Sequence, residues 1–347
     1  MGVLTDREIL TAKLSGNYED DRTFLRAESE RLTAAGDFAA ATAATELITE
    51  ILPDDVKEEV QRLMYIDGIR LDIFHSQMLA AMNEGKPATA IQMGEQLYKK
   101  ISECYVNDGK SRFVCLRNPF EEVLYQLLFK PAEILNKAPF DFTRMLTDYA
   151  FMLLEMQHAD KSAEVLVKAI EYNPVDCGAK FELAEVYKFS RSYDLLIKIT
   201  RETLAVASSP YALARCYCNI GFLLNEKKQF ADAAIFYYTS LLFAPNPNVE
   251  GELTLIARRT GKPIKPPANR IELNAAFERH GFQFGANRAV LEITEQMAWH
   301  EIRKDNIKTA LMYLKILYGL TNDPEVRDKI LEYEPDTNVD DIITKDQ

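Results

Sequence analysis

From Phe142 onward, apolar and small residues return every three or four positions, with Leu146, Tyr149, Ala150 and Leu153 on one stripe. Ser162, Leu166 and Ala169 form a second stripe, closed by Pro174. This is the period of an amphipathic helix, so the stretch predicts two helices joined by a turn. A second copy begins at Ala214, with Tyr217, Ile220, Gly221 and Leu224, then Phe230, Ala233, Tyr237, Ser240 and Pro245 in the same slots. Between them, a unit from Cys177 keeps Leu183, Ala184, Tyr187 and Tyr193. It places Leu196, Thr200, Thr203 and Ser208 where small, aromatic, small and Pro residues are expected, which predicts a sound first helix and a degenerate second one. Weaker copies cover 22–55 (Leu25, Ser29, Leu32, Phe38, Ala41, Pro53), 71–104 (Phe74, Ala81, Ala90, Leu97) and 291–324 (Thr294, Met297, Ala298, Ile307, Ala310, Leu314, Leu317).

On these residues the chain resembles the tetratricopeptide repeat family, whose unit is a helix–turn–helix of about 34 residues. The likeness is strong over 143–247 and weaker over the rest of 22–247 and 291–324, and none of the six copies carries the Trp favoured in the first helix. The resemblance implies an all-α fold, an α–α superhelix with a C-terminal helical block. Physical logic agrees. Ala150, Ala169, Ala184, Gly221 and Ala233 stand where two helices approach closely, and one hairpin alone cannot bury its apolar face. Thr5-Asp6-Arg7-Glu8 reads as a capping box and Asn118-Pro119 as a helix start, with Pro174 and Pro245 as stops. The run NPFEEVLYQLLFKP ahead of the strong repeats is also similar to uncharacterised bacterial repeat proteins, a likeness that supplies no function.

Two stretches break the period. Residues 105–142 hold a polar loop, a helix from Pro119 to about Phe129 and a piece ended by Pro139; they read equally as a wedge or a distorted repeat. Residues 246–290 are dense in Pro and Gly, which ends the regular array. The expected layout is therefore a superhelix over 1–260, a Pro-rich linker over 261–269, a helical block over 270–334 and an acidic, frayed tail over 335–347.

Composition narrows the class. With 47% apolar and 27% charged residues the chain is core-forming rather than disordered, and 41 Lys and Arg against 53 Asp and Glu give a net charge of −12. That balance disfavours nucleic acid as a direct partner. No stretch approaches the length of a membrane span, the start lacks a secretion signal, and Asp6 spoils the myristoylation pattern after Met1-Gly2, so a cytoplasmic location away from membranes is expected. Five cysteines without CxxC spacing read as reduced, buried thiols.

Catalytic chemistry finds no foothold. His75, His158, His280 and His300 are scattered without metal-ligand spacing, and no phosphate-binding or nucleophile motif is present, so no metal, cofactor or enzyme activity is expected. Asp54-Asp55 and Glu121-Glu122 fall in the first turns of helices, where negative charge favours the helix dipole. A basic run, Arg258, Arg259, Lys262, Lys265 and Arg270, reads as a solvated linker or as a dock for an acidic segment. The resemblance further implies a concave face lined by Arg144, Thr147, Phe151, Phe181, Glu185, Lys188, Arg215, Phe222 and Asn225, with the three phenylalanines as an apolar line for a peptide. The family's carboxylate clamp is not matched: its slots hold Thr147, Phe151, Glu182, Arg215 and Asn219, and only Arg215 suits. The expected function is a non-enzymatic scaffold for a protein or peptide. A peptide-sensing regulator without its own DNA-binding domain and a self-assembling subunit are the alternatives.

Overall fold

A computed structural model describes residues 5–339 and Ile342. It is mostly helical, with 18 helices and four short strands among the described residues, and the chain divides into two compact units after Phe74.

The first unit opens with α1 (Asp6–Thr11), where the Thr5–Glu8 capping box forms in full. α2 (Tyr18–Ala34) and α3 (Phe38–Glu50) pack as an antiparallel pair, and α1 lies on α3. Leu10, Leu25, Ala44 and Leu47 form the centre of this small core. Buried Asp21 ties the preceding turn, accepting from Ser15 N (2.6 Å), Ser15 Oγ (2.9 Å) and Gly16 N (2.9 Å). Those donors, led by the Ser15 amide, hold its carboxyl below the ordinary aspartate range. After α4 (Asp54–Met64) comes a hairpin of β1 (Tyr65–Ile66) and β2 (Ile69–Arg70), pairing Tyr65 with Arg70 and Ile66 with Ile69. Asp67 and Gly68 both have positive φ, 49° and 78°, which is the two-residue turn that Asp-Gly favours. α5 (Leu71–Asn83) runs from the first unit into the second.

The second unit is a stack of antiparallel helix pairs. α6 (Pro87–Cys104) leads, followed, after an insertion described below, by α8 (Phe142–Glu155) with α9 (Ala159–Tyr172), α10 (Cys177–Phe189) with α11 (Tyr193–Val206), and α12 (Pro210–Glu226) with α13 (Phe230–Leu241). Each pair packs internally and on the next. Small residues set the spacing. A Cβ on Gly94 would sit 2.0 Å from the Tyr149 ring, so only glycine lets these helices close, and one on Gly221 would sit 3.0 Å from the Tyr237 ring, a contact that would push the ring aside. Buried hydroxyls lock α8 to α9, with Ser162 Oγ donating to Ala150 O (2.7 Å) and Thr143 Oγ1 to Ala169 O (3.1 Å). The helix expected to be degenerate, α11, is regular. Its buried Thr200 and Thr203 donate within the helix to Leu196 O and Ile199 O, both at 2.7 Å, so neither hydroxyl is stranded in the core.

The insertion adds two short strands to a unit that is otherwise all-α, as expected. β3 (Ser111–Val114) and β4 (Ile134–Lys137) pair in parallel, from Ser111–Ile134 to Val114–Lys137, with α7 (Pro119–Phe129) as the crossover. Parallel strands need such a crossover, so the wedge is one β–α–β unit. Arg117 fixes it to the stack by pairing with Asp141 (2.9 Å) and Asp176 (2.8 Å), which cap the N-termini of α8 and α10. Asn173 donates to Cys115 O (3.1 Å) and Glu121 Oε2 (2.8 Å), closing the seam.

Proline does not stop the helices after Leu241. Pro247 occupies the first turn of α14 (Pro247–Thr260), behind the N-cap Asn246, a position where its missing N–H costs nothing. Gly261, with φ of 66°, ends it. α15 (Arg270–Arg279) packs on α13, with Phe277 stacked on Phe236 at 4.4 Å and edge-on to Tyr217 at 5.3 Å. Residues 261–269 therefore lie inside the second unit, and Leu273 and Phe277 share one core with Tyr217 and Phe243. α16 (Arg288–Arg303) and α17 (Ile307–Thr321) form a further pair that returns to α7, where Tyr313 meets Phe120 at 5.7 Å, and α18 (Pro324–Tyr333) closes on α17.

The start of the expected frayed tail is seated. Glu334 pairs with Lys315, and Val339 and Ile342 pack against the core, Ile342 beside Gly319. Asp340, Asp341 and 343–347 lie outside the described residues.

Candidate functional site

α10 and α12 run side by side, and the start of α14 crosses at their edge. The three enclose a cavity of about 450 Å3, with Tyr237 of α13 on its wall. Repeated turns of α10 bring Glu185 and Lys188 to this side, and α12 contributes Arg215, Cys218, Asn219 and Phe222. The segment after α13 adds Asn246, Asn248 and Glu252.

The charges of the cavity are largely spent on each other. Glu185 Oε1 accepts from both Lys188 Nζ (2.8 Å) and Arg215 Nη2 (3.1 Å). Each cation also lies over a ring: Arg215 is 4.6 Å from the centre of Phe181 and Lys188 is 5.5 Å from that of Phe222. Glu252 accepts from Tyr237 Oη and Asn225 Nδ2, both at 3.3 Å, while Arg259 Nη1 donates to Asn225 Oδ1 (3.1 Å). Burial, with the nearby Glu252 carboxylate second, pushes the Tyr237 hydroxyl well above its ordinary value, so it stays a neutral donor. Burial likewise raises the Cys218 thiol, to whose sulfur Asn246 Nδ2 donates at 3.7 Å; this thiol stays protonated and is no activated nucleophile. Glu182, half-buried on α10, is raised by its burial, with Arg215 opposing.

Asn219 stands apart. It is 3% exposed, it lines the cavity, and its carboxamide makes no hydrogen bond to any described residue. One acceptor oxygen and two N–H donors thus open onto the cavity without a protein partner.

Four of the nine residues expected on a concave face meet here: Glu185, Lys188, Arg215 and Phe222. The others do not. Phe181 is 3% exposed, packed edge-on to Tyr211 at 6.4 Å and roofed by Arg215, so it supports the cavity as core rather than lining it. Asn225 is consumed between Glu252 and Arg259, pinning α14 to α12. Arg144, Thr147 and Phe151 belong to α8 and line no part of this cavity. Arg144 lies 3.9 Å from Asp148, which His75 Nε2 contacts at 2.9 Å; Thr147 donates to Thr143 O; and Phe151 is 51% exposed. No continuous phenylalanine line forms, because residue 181 turns inward where 151 turns out. Sequence reasoning missed Tyr237, Asn246, Asn248 and Glu252, which depend on α14 folding back. Asn219 carried a usable signal, a carboxamide on an otherwise apolar helix stripe, yet was weighed only as a slot of an unmatched clamp.

Among the described residues no helix is long and apolar enough to cross a membrane, and no three His, Cys, Asp or Glu side chains converge as a metal centre requires. No protein-family model matches this chain, and a search of curated proteins finds no match to it.

Proposed function

We propose that the second unit is a tetratricopeptide-like array acting as a non-enzymatic scaffold, and that the cavity between α10, α12 and α14 holds an extended peptide segment of a partner protein. The observation that carries this reading is Asn219. Its carboxamide has no partner within the described residues yet opens onto the cavity, so a ligand offering both a donor and an acceptor can take the place of water there. A peptide backbone offers both along its whole length. Lys188 and Arg215 add selectivity for an acidic side chain that competes with Glu185.

Selection of random peptides displayed on phage against the full chain tests this. Enriched peptides are expected to lose at least tenfold in affinity, ~1.4 kcal/mol, on Asn219→Ala, with the unfolding midpoint unchanged or raised. Failure to enrich any peptide, or enriched peptides indifferent to Asn219→Ala and Arg215→Glu alike, overturns the proposal.

A further inference from the structure

A second cavity, of about 590 Å3, lies on the other side of α13, and it differs in kind. Its wall is built by Leu241 and Leu242 at the end of α13, by Pro266 and Pro267, and by Leu273 and Phe284 around α15. That volume falls within the ~300–1,000 Å3 of small-molecule sites.

Nearly every polar group on the wall is already committed. Thr239 Oγ1 donates to Ile235 O (2.7 Å), Thr321 Oγ1 to Leu317 O (2.8 Å) and Tyr238 Oη to Ile264 O (3.2 Å), while Asn269 Oδ1 accepts from Ile271 N and Glu272 N, both at 3.0 Å. Arg270 is the exception. Its guanidinium lies 5.5 Å from the centre of the Phe284 ring and forms no ion pair with any described carboxylate.

The setting strengthens this. Five cations, Arg258, Arg259, Lys262, Lys265 and Arg270, fall between Glu252 and Glu272 with no acidic residue between them, in a chain of net charge −12. None of the five pairs with a described carboxylate; Arg259 bonds Asn225 instead. The segment that supplies part of this wall is thus rich in positive charge, and the one charged group on the wall itself, the exposed Arg270, is a planar fork matched to a carboxylate.

We propose that this cavity binds a small amphipathic carboxylate, with its acyl or aryl body against Leu242, Leu273, Phe284 and the two prolines and its carboxylate on Arg270. The site is separate from the one around Asn219, and neither reading depends on the other.

Decanoate is the probe, titrated calorimetrically into the full chain at low ionic strength, with decanol and decyltrimethylammonium as neutral and cationic counterparts. Saturable binding of decanoate is expected, tighter than decanol, with decyltrimethylammonium excluded. Arg270→Gln should weaken decanoate at least tenfold and leave decanol unchanged. Leu242→Glu, at a residue 64% exposed and therefore tolerant, should weaken both by placing a carboxylate on the apolar rim. Thermal midpoints of the two variants are expected to match the parent. Absence of saturable binding below ~1 mM, equal binding of all three probes, or undiminished decanoate binding by either variant overturns the proposal.

Discussion

The two cavities flank the same helix, α13, and solve opposite problems. In the one between α10, α12 and α14, two cations converge on a single carboxylate and one buried amide is left over. In the one between α13 and α15, the neutral polar groups are spent and one cation is left over. A ligand of the first gains most from hydrogen bonds that a peptide backbone supplies, and a ligand of the second gains most from charge and apolar area. The difference teaches that what a site leaves unsatisfied, rather than what it contains, indicates its partner.

The seam between the cavities is the place to break the comparison. Phe236 is fully buried and touches Phe277, Phe282 and Tyr217. Phe236→Ala should destabilise the second unit by about 3–5 kcal/mol, as truncation of a core aromatic does, and should abolish both sites together. Chemical denaturation with a peptide and a decanoate titration on one sample would check this. Loss of only the α15 cavity would mean that α15 docks independently of the stack.

Gly221→Leu comes next. Its Cβ alone would lie 3.0 Å from the Tyr237 ring, which walls the peptide cavity, so a leucine should cost about 2–3 kcal/mol and distort that cavity first. An unchanged thermal midpoint would contradict the packing of α12 on α13.

How much of this was legible in the sequence follows from which forces act locally. Helix pairs were, because Leu146, Tyr149 and Ala150 or Tyr217, Ile220 and Gly221 encode their faces within one or two turns. Helix starts were as well, since capping at Thr5 and Asn118 is a matter of neighbouring residues. The hairpin at Asp67-Gly68 carried its turn signal between Tyr65-Ile66 and Ile69-Arg70 and was overlooked. The parallel pairing of β3 with β4 was not legible, because its partners lie 23 residues apart across a helix. The site was half legible. Glu185, Lys188, Arg215 and Phe222 follow from helical spacing, whereas the burial of Phe181 depends on Arg215 and Tyr211, and the roles of Asn225 and Glu252 depend on α14 folding back past a proline that reads as a stop.

A smaller effect concerns Lys180, buried in α10 with its Nζ donating to Pro174 O. Burial, with Cys177 and Asp176 opposing, holds its pKa below the ordinary lysine value of 10.5. The unfolded chain therefore binds the proton more tightly than the folded one. The cost to stability is full below the folded pKa and disappears as pH rises towards 10.5. Lys180→Met should raise stability near neutral pH by about 1 kcal/mol, since the freed Pro174 carbonyl offsets part of the gain. Its advantage over the parent should shrink in alkaline buffer. A constant advantage across that range would mean the ammonium is not the source.

The smallest expected change in stability sharpens the comparison most. Glu185 is the one carboxylate shared by Lys188 and Arg215, and its side chain is 39% exposed. Glu185→Gln should therefore cost about 0.5 kcal/mol or less, because part-exposed ion pairs contribute little. Its consequence for binding is larger. With that carboxylate gone, the peptide cavity holds two unpaired cations and comes to resemble the one at Arg270. Neutral peptides selected on the parent through Asn219 should keep their affinity in raised salt, since hydrogen bonds rather than charges hold them. The variant should bind acidic peptides several-fold more tightly at low ionic strength and lose that gain at about 1 M salt, where the screening length is about 3 Å. Titrations of one acidic and one neutral peptide against both proteins at two salt concentrations decide it. If the variant gains nothing for the acidic peptide, Lys188 and Arg215 serve only to pack over Phe222 and Phe181, and charge selectivity belongs to the α15 cavity alone.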